Sequence, residues 1–319
     1  MKKTKKTFVS CLLLAAGTGE RFQDHKPKQY HLLSGKKIYL HTLERFLQTS
    51  KIDEVVVVCS YSYVDEIKKD LLQYPDKNIR LAIGGKTRQQ SSFLGLLACD
   101  TRTTHVMIHD AVRPFISKDI IETNIDLALK YGACDTCITS HDTIVQTEDQ
   151  KKIQNIPDRK HFMRGQTPQT FSYPLILKAH QEAYNNKIEN ATDDCQLVLM
   201  QEQNVKIALG SEKNIKITTE LDLFYAEQLL RLDMHEPEKL LSEETLQGKT
   251  FAITGGTGGI GSEISSLLKE KGARVVELST SAEHPVDLTC EASTKNAFEN
   301  IYQSFGELDG LINCIGYLI

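Results

Sequence analysis

The chain has 319 residues, 40% apolar and 25% charged, enough for about two domains of ordinary size. Its net charge of −4 provides no global basic field to collect nucleic acid, so anionic small ligands would be held by locally placed Lys and Arg. No apolar run approaches the about 20 residues of a membrane span, and the eight cysteines (Cys11, Cys59, Cys99, Cys134, Cys137, Cys195, Cys290, Cys314) are scattered, with one CxxC and no zinc spacing, as expected for reduced thiols in a cytoplasmic protein.

The opening stretch MKKTKKTFVSCLLLAAGTGERF fits either a removable leader or a first buried strand entering a glycine turn. Beyond it, short apolar runs alternate with helical periodicity, the pattern of an α/β sheet built from crossover units. Strands are expected at Phe8–Leu14, Glu54–Cys59, Arg80–Ile83, His105–His109, Cys134–Thr139 and Val205–Leu209. Helices are expected at Ile38–Gln48, Tyr63–Leu72, Gln89–Leu97, Asp119–Tyr131 and Leu221–Leu232. The continuous run EVVVVC suits a strand covered on both faces. Between Ser140 and Phe171 the pattern turns polar and carries Pro157 and Pro168, which predicts an excursion from the sheet. Residues 233–248 are charged and contain Pro237, reading as a linker or hinge helix between a first domain at 1–232 and a second at 249–319. There the pattern restarts: strand Thr250–Ile253, glycine turn, helix Gly261–Lys271, strand Arg274–Leu278, helix Ser293–Phe305, strand Gly310–Cys314. The expectation is two nucleotide-type α/β folds in tandem, the second incomplete.

After the first strand, which ends near Leu14 at the expected nucleotide site, Ala15, Ala16, Gly17 and Gly19 leave the backbone nearly bare, so a ligand can approach closely and amides can point at it. A glycine turn at the carboxyl end of a strand lies where open α/β sheets bind ligands. Arg21 and Lys28 add two fixed cations suited to a polyphosphate, a planar fork and a point charge.

Several separated motifs then carry a resemblance: LAAGTGERF followed by PKQ, GGKTRQQS (84–91), HDAVRPF (109–115), DTIV (142–145), PDR (157–159), GQTPQTF (165–171) and NIKITTELDL (214–223). Over about residues 8–232 the chain resembles the cytidylyltransferases that activate sugar and polyol phosphates. The resemblance implies a Rossmann-like nucleotidyltransferase domain with a mostly parallel sheet and a projecting arm, a retained N-terminal strand, and a homodimer formed through the arm. It also implies the reaction, attack of an acceptor phosphate oxygen on the α-phosphorus of CTP with departure of pyrophosphate. Such chemistry asks the protein for positioning and charge stabilisation. By resemblance, Arg21 and Lys28 stabilise the α-phosphoryl and the leaving group. Arg159 and Lys216 hold the acceptor phosphate, with Thr143 and Thr167 as neutral ligands. Gly84, Gly85, Arg88, Ser91, Asp110 and Ala111 line the nucleotide, and Asp110 faces Mg2+.

Structural alternatives stand beside these roles. Arg113 is a cap or ion pair as readily as a ligand contact, and Arg88 a solvated helix residue. His109 reads as strand-end packing, and His161, Asp193 and Asp194 as arm structure and helix capping in place of a metal site. Asp222 either belongs to the site or caps the last helix.

In the second segment TGGTGGIG (254–261) follows a strand and opens a helix, the context that a dinucleotide fingerprint requires. With VDLT (286–289) and NCIG (313–316) it resembles the short-chain dehydrogenases, which implies NADP or NAD contacts at Gly255, Gly259, Ile260, Gly261, Asp287 and Asn313. Ser279, where an NAD-type site tends to place an acid, leans towards NADP. That family's catalytic Ser and YxxxK do not occur before Ile319, so reductase chemistry is not expected, and a truncated bifunctional chain is expected ahead of a vestigial tail. The fusion resembles bifunctional enzymes that make ribitol 5-phosphate and then CDP-ribitol. A methylerythritol-phosphate acceptor, an oxidoreductase and a non-catalytic nucleotide sensor are the competing readings.

Overall fold

Successive residues of Glu54–Cys59 point to opposite faces of the sheet, and both faces are covered. Val55 and Val57 join Leu13, Tyr39, Leu43 and Phe46 in one buried cluster, while Val56 and Val58 join Leu12, Leu96 and Ile108 in another. Each fully buried valine contributes about 1.5–3 kcal/mol, which places a run with no polar side in the interior of the sheet. The computed structural model describes residues 7–17, 26–189, 191–235, 246–283 and 285–315.

The chain divides into two units, Met1–His235 and Glu236–Ile319. The first contains β1 (Val9–Ala15), β2 (Leu32–Leu33), β3 (Lys36–Lys37), α1 (Ile38–Leu47), β4 (Glu54–Cys59), α2 (Val64–Leu71), β5 (Ile79–Ile83), α3 (Arg88–Ala98), β6 (His105–Asp110), α4 (Lys118–Tyr131), β7 (Ala133–Thr139), β8 (Met163–Ser172), α5 (Tyr173–Asn185), α6 (Asp194–Leu199), β9 (Lys206–Leu209) and α7 (Glu220–His235). Its main sheet has seven strands in the order β5-β4-β1-β6-β8-β7-β9. β1, β4, β5 and β6 are mutually parallel, as are β7 and β9, and β8 runs against both its neighbours.

Local chemistry sets the helix ends. Thr87 accepts from Gln90 N to start α3, and Ser117 accepts from Ile120 N to start α4. Gly132, at φ +89°, takes the left-handed position that closes α4. Thr219 and Asp222 cap the start of α7 reciprocally: Asp222 Oδ2 accepts from Thr219 N at 2.8 Å and Thr219 Oγ1 from Asp222 N at 3.2 Å. Asp222 is thus a cap.

One expectation is corrected. The excursion predicted over Ser140–Phe171 ends early, because residues 163–172 return as β8, between β6 and β7. This interior strand reads as polar because most of its buried polar side chains find partners, Thr170 Oγ1 being the exception. Gln166 Nε2 donates to Ser211 O at 2.9 Å and Gln169 Nε2 to Asp135 Oδ1 at 3.0 Å. Thr136 Oγ1 donates to Pro168 O at 2.6 Å. Residues 140–162 remain outside the sheet, with a bridge between Gln146 and Asn155 and exposed Val145, Ile153 and Ile156.

The second unit contains β10 (Thr250–Thr254), α8 (Gly259–Glu270), β11 (Arg274–Leu278), α9 (Glu291–Phe305) and β12 (Gly310–Asn313), with the parallel order β11-β10-β12. Ala252, Leu278, Val286, Ala297 and Ile301 form its core. Most of the expected linker at 233–248 lies outside the described residues. Among those that are described, no helix is long and apolar enough to cross a membrane.

Candidate active site

β1 has β4 on one side and β6 on the other, so the chain order reverses at β1, where crevices outside the carboxyl ends of strands take ligands. Leu14 is in register with Asp110 at that edge. Beyond it the turn is braced by PKQ. Gln29 Nε2 donates to Ala15 O at 2.7 Å and Gly17 O at 2.8 Å, and Tyr30 Oη donates to Ala15 O at 3.0 Å. Lys28 stands beside this clamp, half-buried, on a single helical turn. Gly19 and Arg21 lie outside the described residues.

Gly84, just after β5, approaches the same turn. A Cβ there would lie 2.5 Å from Ala16 Cβ and 2.9 Å from Ser91 Oγ, so only glycine lets the two loops meet. Ser91 Oγ accepts from Gly85 N at 3.1 Å and donates to Thr87 O at 2.9 Å, which commits this buried hydroxyl to the shape of the loop.

Asp110 is the electrostatic centre. Its Oδ2 lies 2.9 Å from Lys216 Nζ and 3.5 Å from Arg113 Nε, and its Oδ1 lies 3.5 Å from Arg88 Nε. Burial alone would raise this carboxyl; Lys216, Arg88 and Arg113 outweigh it and hold the group well below the usual carboxylate range. Ala111 N donates to Leu14 O at 3.0 Å, fixing the strand end. Arg113 also donates from Nη1 to Asn214 O at 2.8 Å, so it serves as an ion pair and tie within the fold. Arg88 is likewise paired, with Nη1 2.6 Å from Asp194 Oδ2.

His109 is fully buried, and burial lowers its pKa to about 3, so the ring is neutral. Its Nε2 faces Arg113 O at 3.3 Å; a carbonyl only accepts, so Nε2 carries the hydrogen. Nδ1 then accepts from Thr167 Oγ1 at 3.0 Å, while that oxygen accepts from Asp110 N at 3.1 Å. The Thr167 proton is therefore committed to His109. Asp193 accepts from Gln196 N at 2.8 Å and caps α6.

Leu14, Ala15, Ala16, Gly17, Gly84, Gly85, Arg88, Ser91, Asp110, Ala111 and Lys216 thus gather along one edge of the sheet. Thr143 and Arg159 do not join them. Both are exposed outside the sheet, Arg159 Nη1 donates to His141 O, and among the described residues neither bonds to Asp110, Thr167 or Lys216. Sequence reasoning missed Gln29, whose signal was its place in PKQ, and Asn214, which donates to Thr167 O at 2.9 Å.

Among the described residues no group of three or more His, Cys, Asp or Glu side chains could hold a metal. A lone carboxylate fits only a cation that takes its other ligands from phosphates and water, as magnesium does.

In the second unit Gly255, at φ +68°, turns the chain out of β10, and a Cβ on Gly261 would strike the Gly255 carbonyl. This bare turn at the start of α8 fits close approach of a dinucleotide pyrophosphate. Ile260 is exposed beside it. Asn313 Oδ1 accepts from Thr254 Oγ1 at 2.6 Å, and Asp287 Oδ1 from Thr289 N at 2.9 Å, so both side chains also shape their own loops.

The family model for 2-C-methyl-D-erythritol 4-phosphate cytidylyltransferase (IspD) matches residues 9–232. The bifunctional ribulose 5-phosphate reductase/CDP-ribitol pyrophosphorylase Bcs1 of Haemophilus influenzae is 34% identical over 96% of the chain, which spans 66% of that relative's length. A 2-C-methyl-D-erythritol 4-phosphate cytidylyltransferase of Thermosipho melanesiensis is 39% identical over 67% of the chain and 93% of its own. A ribitol-5-phosphate cytidylyltransferase of Vibrio parahaemolyticus is 34% identical over 67% of the chain and 92% of its own. Among solved structures, 4-diphosphocytidyl-2C-methyl-D-erythritol synthase of Anaerococcus prevotii superposes with a TM-score of 0.64 at 33% identity, covering 70% of this chain and 96% of that one.

Proposed function

This chain belongs to the IspD family of cytidylyltransferases, and from that premise we propose that it transfers the cytidylyl group of CTP to D-ribitol 5-phosphate, yielding CDP-ribitol and pyrophosphate for cell-surface polysaccharide synthesis in the cytoplasm. The observation that carries the reading is the convergence of Lys216, Arg88 and Arg113 on Asp110 at the edge where Ala16 meets Gly84. Cations at that edge offset the charge of a triphosphate and a second phosphate brought side by side.

In the reaction one acceptor phosphate oxygen forms a bond to the α-phosphorus, and the bond from that phosphorus to the bridging oxygen of the β-phosphate breaks. A phosphate dianion is already a nucleophile near neutral pH, so no general base is required. Lys28 and Arg21 stabilise the departing pyrophosphate. Lys216, swinging from Asp110, and Arg159, carried by the arm, hold the acceptor phosphate; the arm supplies this contact in a homodimer. Magnesium bound at Asp110 would neutralise phosphate charge. Gly255, Gly259 and Gly261 of the second unit bind NADP.

The ribitol acceptor is supported by the Haemophilus relative, whose similarity runs through both units. The family model and the Thermosipho relative favour a second acceptor, 2-C-methyl-D-erythritol 4-phosphate. Pyrophosphate release from CTP and Mg2+ with each acceptor in turn tests the choice. Ribitol 5-phosphate should support turnover at the higher kcat/KM, and turnover with methylerythritol phosphate alone would reverse the assignment.

A further inference from the structure

The Asp194 side chain, at the first residue of α6, is 1% exposed, and three side-chain donors converge on it. Arg88 Nη1 lies 2.6 Å and Ser92 Oγ 3.2 Å from Oδ2, and His180 Nε2 lies 2.9 Å from Oδ1. His180 is itself buried, its ring stacked on Phe93 with centroids 5.7 Å apart. The Asp194 amide donates to Gln169 Oε1 at 3.2 Å. The carboxylate is therefore fixed from α3 and α5, and its backbone from β8, before it meets the arginine.

A charge pair this deep loses hydration that its own attraction barely offsets, and apolar residues of similar volume would hold the same helices together. What the pair adds is direction. Arg88 opens α3 directly after the Gly84–Thr87 loop, and its other end looks towards Asp110 Oδ1 across 3.5 Å. Oδ2 of Asp110 is shared by Lys216 and Arg113, so Oδ1 is the less crowded oxygen. Freed from Asp194, the guanidinium would close on Oδ1 as a short bidentate pair, taking the arginine off the nucleotide loop and covering that oxygen.

We propose that Asp194 is a positioning residue for nucleotide binding, holding Arg88 beside the Gly84–Gly85 loop and keeping it from closing on Asp110 Oδ1 beyond their 3.5 Å approach. The proposal rests on the CTP reading above. It is tested on the full chain with Asp194→Asn, by calorimetric titration with CTP and Mg2+ and by steady-state kinetics. The dissociation constant and the KM for CTP should both rise about tenfold or more, as loss of one partner of a buried charge pair entails. The acceptor KM should stay within about twofold, which a general loosening of the fold would not spare. His180→Gln removes the second anchor while keeping the Arg88 pair, and should weaken CTP in the same direction by about threefold; it decides the matter if Asp194→Asn does not fold. A deciding variant that binds CTP as tightly as the parent chain overturns the proposal and leaves the cytidylyltransferase reading intact. A parent chain that binds no CTP overturns both.

Discussion

Lys216 Nζ lies 2.9 Å from Asp110 Oδ2, joining the segment after β9 to the end of β6. In the resting chain each group satisfies the other, yet the proposed reaction needs the lysine on an acceptor phosphate. Its side chain is 39% exposed, and the buried Asp110 keeps Arg88 and Arg113 when it leaves, so little stability is lost with it. Lys216→Ala should therefore lower kcat by about 10²–10³-fold while the thermal midpoint moves by only a few degrees. Pyrophosphate release and a melting curve on the same preparation check both. Turnover within about threefold of the parent would remove Lys216 from the mechanism.

Neighbours at the glycine turn should separate by role. Lys28→Ala removes a charge beside the proposed leaving group, so kcat should fall by orders of magnitude. Gln29→Ala removes two hydrogen bonds that hold the Ala15 and Gly17 carbonyls. Ala15 O keeps its bond from Tyr30 Oη, so the loss is about 0.5–1.5 kcal/mol for each bond removed, and that variant should lose stability and bind CTP more weakly. Urea melts and CTP titrations on both variants distinguish the two outcomes.

Gly84 and Gly95 offer a matched pair. A Cβ on Gly84 would meet Ala16 Cβ at 2.5 Å, within the crevice; one on Gly95 would meet Val58 Cγ2 at 2.8 Å and Leu12 Cδ1 at 3.1 Å, within the core. Gly95→Ala should cost about 1–3 kcal/mol through overpacking without changing the KM for CTP. Gly84→Ala should raise that KM, because the two loops must part. Equal KM values for both variants would place the nucleotide elsewhere.

The legible parts of the molecule were those where one local pattern determines one outcome. EVVVVC had to be a doubly covered strand, and the bare turn after Leu14 had to admit a close approach. β8 hid because Gln166, Thr167 and Gln169 are buried by virtue of partners that periodicity does not reveal. α5, which begins with a proline in its first turn, was passed over for the same polar neighbourhood. The Asp193–Asp194 pair was read correctly in its first member, a cap, but the second reaches Arg88 from far along the chain. Only the fold shows that contact.

Asp135 carries a pH dependence. Burial raises its carboxyl from 3.8 to about 6. Between those values the folded chain keeps a proton that the unfolded chain has released, so stability falls as pH rises through the window, by at most about 3 kcal/mol. Asp110 and Asp194 are shifted downwards and act in the opposite sense, losing their contribution as pH falls. Comparing Asp135→Asn with the parent cancels them. The variant should match the parent near pH 4 and gain about 1–3 kcal/mol near pH 7.5 in urea unfolding. A difference that does not change with pH would refute the assignment.

In the second unit the end of β11 carries hydroxyls in place of an acid. Ser279 Oγ lies 2.7 Å and Ser281 Oγ 2.8 Å from Thr257 Oγ1, beside the glycine turn. A carboxylate there would accept from a ribose 2′-hydroxyl and repel a 2′-phosphate; hydroxyls can donate to the phosphate and carry no opposing charge. On the proposal that this unit binds NADP, fluorescence titration of the full chain should give NADPH a dissociation constant about tenfold below that of NADH, a difference of about 1.4 kcal/mol. Ser279→Asp should invert the order, because the new charge confronts the 2′-phosphate and pairs with the 2′-hydroxyl. Gly261→Ala should abolish binding of both, since its Cβ would strike the Gly255 carbonyl. Equal affinities in the parent chain would remove the argument from Ser279, and binding of neither nucleotide would remove the cofactor from the second unit.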